Sequence, residues 1–215
     1  MAKSIKKAVK KSRLVRAVKK RLEDKRNHRH AVAEWKAIES RAGVCLEIGS
    51  GVKRGQGNWV TVDQNGADIT WDLRDGFPLR DGCIDKIYCS HLLEHIPYEQ
   101  LVQLVSECRR VLRNGGEFSV CVPNARNYIT AYMKEVTFRD RETLWEPAVI
   151  DTGSNIDQLN YIAYMGGEHK YMFDPENLIN TLLKGGFSNV VKREFDPSLD
   201  MRERDHESIY ASAFK

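Results

Sequence analysis

His91, Glu94 and His95 stand at i, i+3 and i+4, which puts two imidazoles and a carboxylate on one face if the segment is helical. Imidazoles take up protons near neutral pH, and imidazole with carboxylate also holds divalent metals. The plainer alternative is that His95 packs and Glu94 bonds to backbone. Upstream, Gly49-Ser50-Gly51 ends a short apolar run. Glycines there let the backbone turn sharply and come close to a ligand, which any side chain would block. Asp63 ends the next apolar run, placed to accept hydrogen bonds from two ribose hydroxyls. Alone, the first is as often a plain tight turn and the second more often a solvated cap. Together, at consecutive tips, they argue for a nucleoside-containing cofactor. The dinucleotide pattern G-x-G-x-x-G, with its acid about twenty residues on, is not met. Arg54 takes the place of the third glycine, and Asp63 follows Gly51 by twelve residues. No G-x-x-x-x-G-K-[ST] phosphate loop is present, so NAD and nucleoside triphosphates both fit poorly.

Strands and helices must hold these groups. Residues 44–48, 59–63, 68–71 and 84–89 read as β-rich runs. Leu101, Leu104, Val105, Cys108, Val111 and Leu112 follow helical spacing until Asn114-Gly115-Gly116. Residues 118–122 form a fifth strand closed by Pro123, and Leu178, Ile179, Leu182 and Leu183 mark a helix between Asp174-Pro175 and Gly185-Gly186. Two last strands, 189–195 and 208–214, are joined by a charged loop. Strands alternating with helices predict an α/β fold with a mostly parallel sheet, and the closing pair predicts an antiparallel hairpin. Ligands bind such sheets beyond the carboxyl ends of their strands, here after Ile48, Val62, Trp71, Cys89 and Val122. Residues 124–168 are too long for a simple connection and carry Tyr128, Tyr132, Tyr161 and Tyr164. They predict a lid or substrate-binding insertion whose tyrosines either stack on sugar or aromatic rings or simply pack.

The chain resembles the class I S-adenosylmethionine-dependent methyltransferases. The resemblance rests on Leu46-Glu47-Ile48-Gly49-Ser50-Gly51, Val62-Asp63, Asp72-Leu73, Phe77-Pro78-Leu79, Ile84-Asp85, Ser90-His91-Leu92-Leu93-Glu94-His95 and Arg110 through Gly116, in family order. It implies a Rossmann-like, seven-stranded sheet and S-adenosylmethionine as cofactor. Glu47, Gly49 and Gly51, with Ser50 in the same turn, would hold the methionine part. Asp63 would hold the ribose, Asp72 and the Leu73 backbone would read the adenine edge, and Ser90 and His91 would face the sulfonium and the acceptor. Two departures stand out. Lys53 takes the place of a third glycine, and only seven residues, Val52–Asn58, link the first two strands, too few for the usual helix. Base and amide nitrogen methylation usually goes with an Asn/Asp-Pro-Pro-aromatic motif at the fourth tip, and Ser90-His91-Leu92-Leu93 disfavours it. The chain looks most like small bacterial methyltransferases of cell-surface glycan assembly, which implies O-methylation of a saccharide or glycan-precursor hydroxyl. His91 at the fourth tip, or His169 at the end of the insertion, is the expected general base. Some quinone O-methyltransferases of the class hold a divalent metal with acidic or His residues near Glu94 and His95. A quinone-like or RNA acceptor, or a non-catalytic protein on the same fold, stays open.

Residues 1–30 hold 13 Lys or Arg against Glu23 and Asp24, a local balance of +11, while the remaining 185 residues sum to −7. Residues 3–26 lack Gly and Pro and place Leu14, Val15, Val18 and Leu22 on one helical stripe. This basic arm (1–30) is set apart from a methyltransferase domain (31–215). It suits a solvated helix docked by its stripe, an anionic membrane surface, or nucleic acid. Five cysteines without a C-x-x-C pair, and no signal-peptide-like or spanning apolar run, predict a reducing, cytoplasmic setting, with the arm able to sit at the membrane surface.

Overall fold

The structure, a computed structural model, describes residues 28–135 and 151–215. The expected basic helix over 3–26 therefore lies outside the described residues. Seven strands form one sheet in the order β3-β2-β1-β4-β5-β7-β6. They are β1 (Cys45–Ile48), β2 (Trp59–Asp63), β3 (Ile69–Thr70), β4 (Ile84–Ser90), β5 (Leu112–Pro123), β6 (Asn189–Lys192) and β7 (Ser208–Phe214). All pairings from β3 through β5 are parallel. β7 runs antiparallel to both β5 and β6, the predicted closing pair. This is the Rossmann-like sheet that the resemblance implied.

The helices bury the sheet as their apolar spacing dictates. α1 (residues 28–39) seats Ala31, Trp35 and Ile38 on the core, with Trp35 edge-on to Trp71 and Phe77. α2 (Tyr98–Val111) buries Leu101, Leu104, Val105, Cys108 and Val111. α5 (Pro175–Lys184) starts in a capping box between Asp174 and Asn177 with Pro at its first turn. Each large apolar side chain so buried contributes about 1.5–3 kcal/mol. No helix separates β1 from β2, as the short link required.

Three boundaries differ from expectation. β5 begins at Leu112, because Gly115 and Gly116 exchange backbone hydrogen bonds with Lys215 and stay in the sheet instead of leaving it. β3 keeps two residues. β6 stops at Lys192, where Arg193 turns to pair with Asp200. Within the predicted insertion, α3 (Ala125–Met133) and α4 (Ile156–Tyr164) pack through Ala125, Tyr128, Tyr161 and Ile162 into a small second core.

Candidate active site

The β1 tip is built by close packing as much as by ligand geometry. The Gly49 N–H donates to the Val62 carbonyl at 2.8 Å, and Gly49 has φ +70. A Cβ at Gly49 would stand 2.7 Å from the Leu92 Cβ, so the β4 tip presses on this glycine. Gly51 also has positive φ, yet a Cβ there would meet nothing within 4 Å. The Gly51 N–H donates to Asp63 Oδ2 at 2.9 Å, and the Asn65 N–H to Asp63 Oδ1 at 3.0 Å. A carboxylate offers about four lone pairs, so Asp63 keeps acceptor capacity for ribose hydroxyls.

A cavity of about 360 Å³ opens beside these tips, lined among others by Gly49, Asp63, Asp72, Leu73, Leu92 and His95. That is a volume suited to a small ligand, and its rim carries the expected ribose and adenine residues. Asp72 caps the turn Leu73–Asp75 and takes Arg74 Nε at 2.8 Å and Nη2 at 2.6 Å. The Arg74 bond holds the Asp72 carboxyl below its ordinary range. Glu47 lies outside this lining, its Oε1 accepting from Lys53 Nζ at 2.8 Å. Ser50 is buried and bonds only weakly to the Gly51 carbonyl, at 3.4 Å. Ser90 ends β4 opposite Cys121 and does not reach the cavity wall.

The β4 tip is not an α-helix. His91 has φ +49, in the left-handed region, and only Leu93–His95 form a helical turn, of the 3₁₀ type. The three side chains nevertheless cluster. Glu94 Oε1 lies 3.7 Å from His91 Nδ1 and 3.8 Å from His95 Nε2. His169 joins them from the far end of the insertion, its ring 4.9 Å from that of His95. The Lys170 and Tyr171 N–H groups both donate to the Glu94 carbonyl, which docks the segment carrying His169 onto the β4 tip.

Hydrogen bonds set the tautomers. Ser208 Oγ donates to the Arg204 carbonyl at 2.6 Å, so His91 Nε2–H must donate to Ser208 Oγ, at 2.9 Å. The His91 lone pair is then on Nδ1. His169 Nδ1–H donates to the Ile162 carbonyl at 2.8 Å, and His95 Nδ1–H to the Glu168 carbonyl at 3.3 Å. Both rings therefore carry their lone pairs on Nε2. Burial, and then the Arg204 charge, push His91 down to about 3, so it is neutral. Burial pushes Glu94 up to about 8, and neither of its oxygens has a hydrogen-bond partner.

His91, Glu94, His95 and His169 line a second cavity of about 80 Å³, walled also by Tyr161, Ile162 and Met165 and by Arg204 and Glu207. His95 belongs to both cavities. Of the four tyrosines singled out for stacking, Tyr128 donates to Glu207 in the interior and Tyr161 packs on Tyr128, whereas Tyr132 and Tyr164 are exposed. Sequence reasoning missed Leu92, Arg204, Glu207 and Ser208. The last three fall at the end of a charged loop and the start of β7, where no periodicity marks them.

The methyltransferase domain family matches residues 47–120. No curated protein matches the chain. Among solved structures, the chain is similar to a SAM-dependent methyltransferase of Archaeoglobus fulgidus, at 16% identity over 89% of this chain and 94% of the other, TM-score 0.49. It is similar to a possible histamine N-methyltransferase of Thermotoga maritima, at 15% identity over 88% and 91%, TM-score 0.46. A third is the 1,6-didemethyltoxoflavin-N1-methyltransferase of Burkholderia thailandensis, at 14% identity over 88% and 78%, TM-score 0.49. The matched segment runs from the Glu47 turn through Asp63, Asp72 and the β4 tip into β5. Residues 47–120 thus match a methyltransferase domain, which supports an S-adenosylmethionine-dependent methyltransferase.

Proposed function

We propose that the protein methylates a hydroxyl of a saccharide or glycan precursor. His95 carries this reading: it lines both the cofactor-sized cavity and the histidine-lined one, so a methyl donor in the first would face an acceptor in the second. Bound S-adenosylmethionine supplies a methyl group on a sulfonium. Asp63 orients the ribose, Asp72 and the Leu73 backbone the adenine edge, and Glu47, Gly49 and Gly51, flanking Ser50, the methionine end. Ser90 and His91 line no part of the cofactor cavity, so His91 would act from the acceptor side. In-line displacement makes alignment the main catalytic contribution. An attacking hydroxyl also gives up its proton, and His91 is the proposed acceptor, since the Ser208 bond leaves the lone pair on Nδ1 and the residue lines the small cavity. His169, the other candidate base, lines the same cavity, and His91 is preferred for its place at the β4 tip. α4 walls the acceptor side with Tyr161, Ile162 and Met165, which supports a substrate-binding role for the insertion. The saccharide class draws its support from the resemblance to glycan-assembly methyltransferases and from exposed Tyr132 and Tyr164 on α3 and α4. The setting is cytoplasmic, with residues 1–30 at an anionic membrane surface where lipid-linked precursors lie.

The test is methyl uptake from labelled S-adenosylmethionine into separated saccharide, lipid-linked glycan, quinone and RNA fractions. Label in the saccharide fractions is expected; label confined to quinone or RNA overturns the acceptor assignment. His91→Asn should then lower kcat by about 10²–10⁴ with cofactor affinity preserved.

A further inference from the structure

We propose that Glu94, His95 and His169 form a site for one divalent transition-metal ion of the zinc class. The three offer one ligand atom each, all within 4.8 Å of one another, and Glu94 and His169 are buried. Tautomer and environment agree. His95 and His169 both anchor Nδ1–H on a backbone carbonyl, leaving both Nε2 lone pairs for a ligand. Anchoring of the far ring nitrogen is how metal-ligating histidines are held. Both Glu94 side-chain oxygens are buried with no hydrogen-bond partner, a costly state that an ion would relieve. The Glu94 backbone is fixed as well, by the Lys170 and Tyr171 N–H groups.

Ligands about 2.0–2.2 Å from a tetrahedral ion stand roughly 3.4 Å apart. The Glu94 Oε1 to His95 Nε2 separation of 3.8 Å is near that, and side-chain torsions can draw His169 in. The cavity of about 80 Å³ has room for an ion and an oxygen ligand in the open fourth position. Two imidazoles and one carboxylate favour zinc-like ions over magnesium. Two charged groups of the turn Arg202–Glu207 share the cavity, Arg204 opposing and Glu207 favouring a cation. The ion would sit in the small cavity that the acceptor reading also uses, but its binding does not depend on which acceptor is methylated. Where the acceptor is a hydroxyl, the ion would add Lewis-acid activation beside His91.

Untagged full-length protein, stripped with chelator, is titrated with Zn²⁺, Co²⁺ and Mg²⁺ by calorimetry, and the Co²⁺ form is read by visible absorption. One equivalent of Zn²⁺ or Co²⁺ should bind with micromolar or tighter affinity, giving the intense bands of a four- or five-coordinate Co²⁺, while Mg²⁺ should not bind measurably. Glu94→Gln and His169→Ala should each weaken binding at least tenfold, with near-UV dichroism confirming the fold. The exposed pair His28 and His30 is the rival, so the variant carrying His28→Ala and His30→Ala should keep the full equivalent. Absence of stoichiometric binding by the wild type overturns the proposal even if the buried variants fail to fold. So does binding lost with His28 and His30.

Discussion

Lys53 Nζ donates a 2.8 Å hydrogen bond to Glu47 Oε1. The carboxylate proposed to meet the cofactor's methionine ammonium therefore already holds an ammonium of the chain itself. Lys53 is half exposed, and such a pair is worth at most about 1 kcal/mol. Lys53→Met should leave stability nearly unchanged and tighten S-adenosylmethionine binding by up to about fivefold, the same free energy returned to the cofactor. Calorimetry showing instead a tenfold loss would mean that Lys53 orients Glu47 or touches the cofactor.

Gly49 and Gly51 share a left-handed backbone but differ in surroundings. A left-handed L-residue costs about 1–2 kcal/mol, so Gly51→Ala should lose roughly that much stability, its Cβ pointing into open space. Gly49→Ala adds a clash with Leu92 and should cost roughly 2–4 kcal/mol. Leu92→Ala in the Gly49→Ala background should relieve the clash. Equal losses for the two single variants in denaturant unfolding would show that Leu92 does not press on the turn.

Glu107 links α2 to the loop before β4. It accepts from Arg110 Nε at 2.7 Å, Arg110 Nη2 at 2.8 Å and the Phe77 N–H at 3.2 Å. The Arg110 bond, against a smaller opposing effect of burial, holds the Glu107 carboxyl below its ordinary range. A depressed folded pKa means stability that is present above the unfolded pKa and lost as pH falls through the folded one. Glu107→Gln should therefore be less stable than wild type at pH 7, and the gap should shrink below about pH 4.5. A pH-independent gap in urea midpoints would assign the loss to packing rather than to charge.

Removing residues 1–26 should leave S-adenosylmethionine affinity within a few fold, because every proposed cofactor contact lies at Glu47 or beyond. It should abolish association with anionic vesicles, which in the intact chain should fade with salt. Unchanged vesicle binding after removal, or binding by RNA alone, would refute the membrane assignment of the arm.

The sheet and its tips were legible because β1, β2 and β4 are short runs ending at Ile48, Asp63 and Ser90, and because α2 and α5 are periodic and α5 is capped. The start of β5 was not, since whether Gly115 turns away or pairs with Lys215 depends on the far end of the chain. The site was legible in part. Asp63 and Asp72 line the cavity where expected, but nothing local in the sequence tells that the Lys170 amide docks on the Glu94 carbonyl and so brings His169 to His95. Ser208 was hidden for the same reason, as its partner His91 lies across the sheet on the β4 tip.

That hidden partner supplies the last prediction. The Ser208 proton is committed to the Arg204 carbonyl, so Ser208 Oγ can only accept from His91, and this holds the His91 proton on Nε2. Without the hydroxyl, the buried Nε2–H loses its acceptor, and the ring is free to carry its proton on Nδ1, the nitrogen proposed to take the acceptor's proton. Ser208→Ala should therefore lower kcat about 10- to 100-fold, less than the roughly 10⁴ lost when a charged orienting group is replaced in a serine-protease triad. Acceptor KM and S-adenosylmethionine affinity should stay within a few fold, since Ser208 lines neither the cofactor cavity nor the small one. Ser208→Thr keeps the hydroxyl and should restore most of the turnover, an outcome that a packing defect would not give. Full kcat in a folded Ser208→Ala protein would show that His91 needs no fixed tautomer, and with it the case for His91 as the proton acceptor would fall.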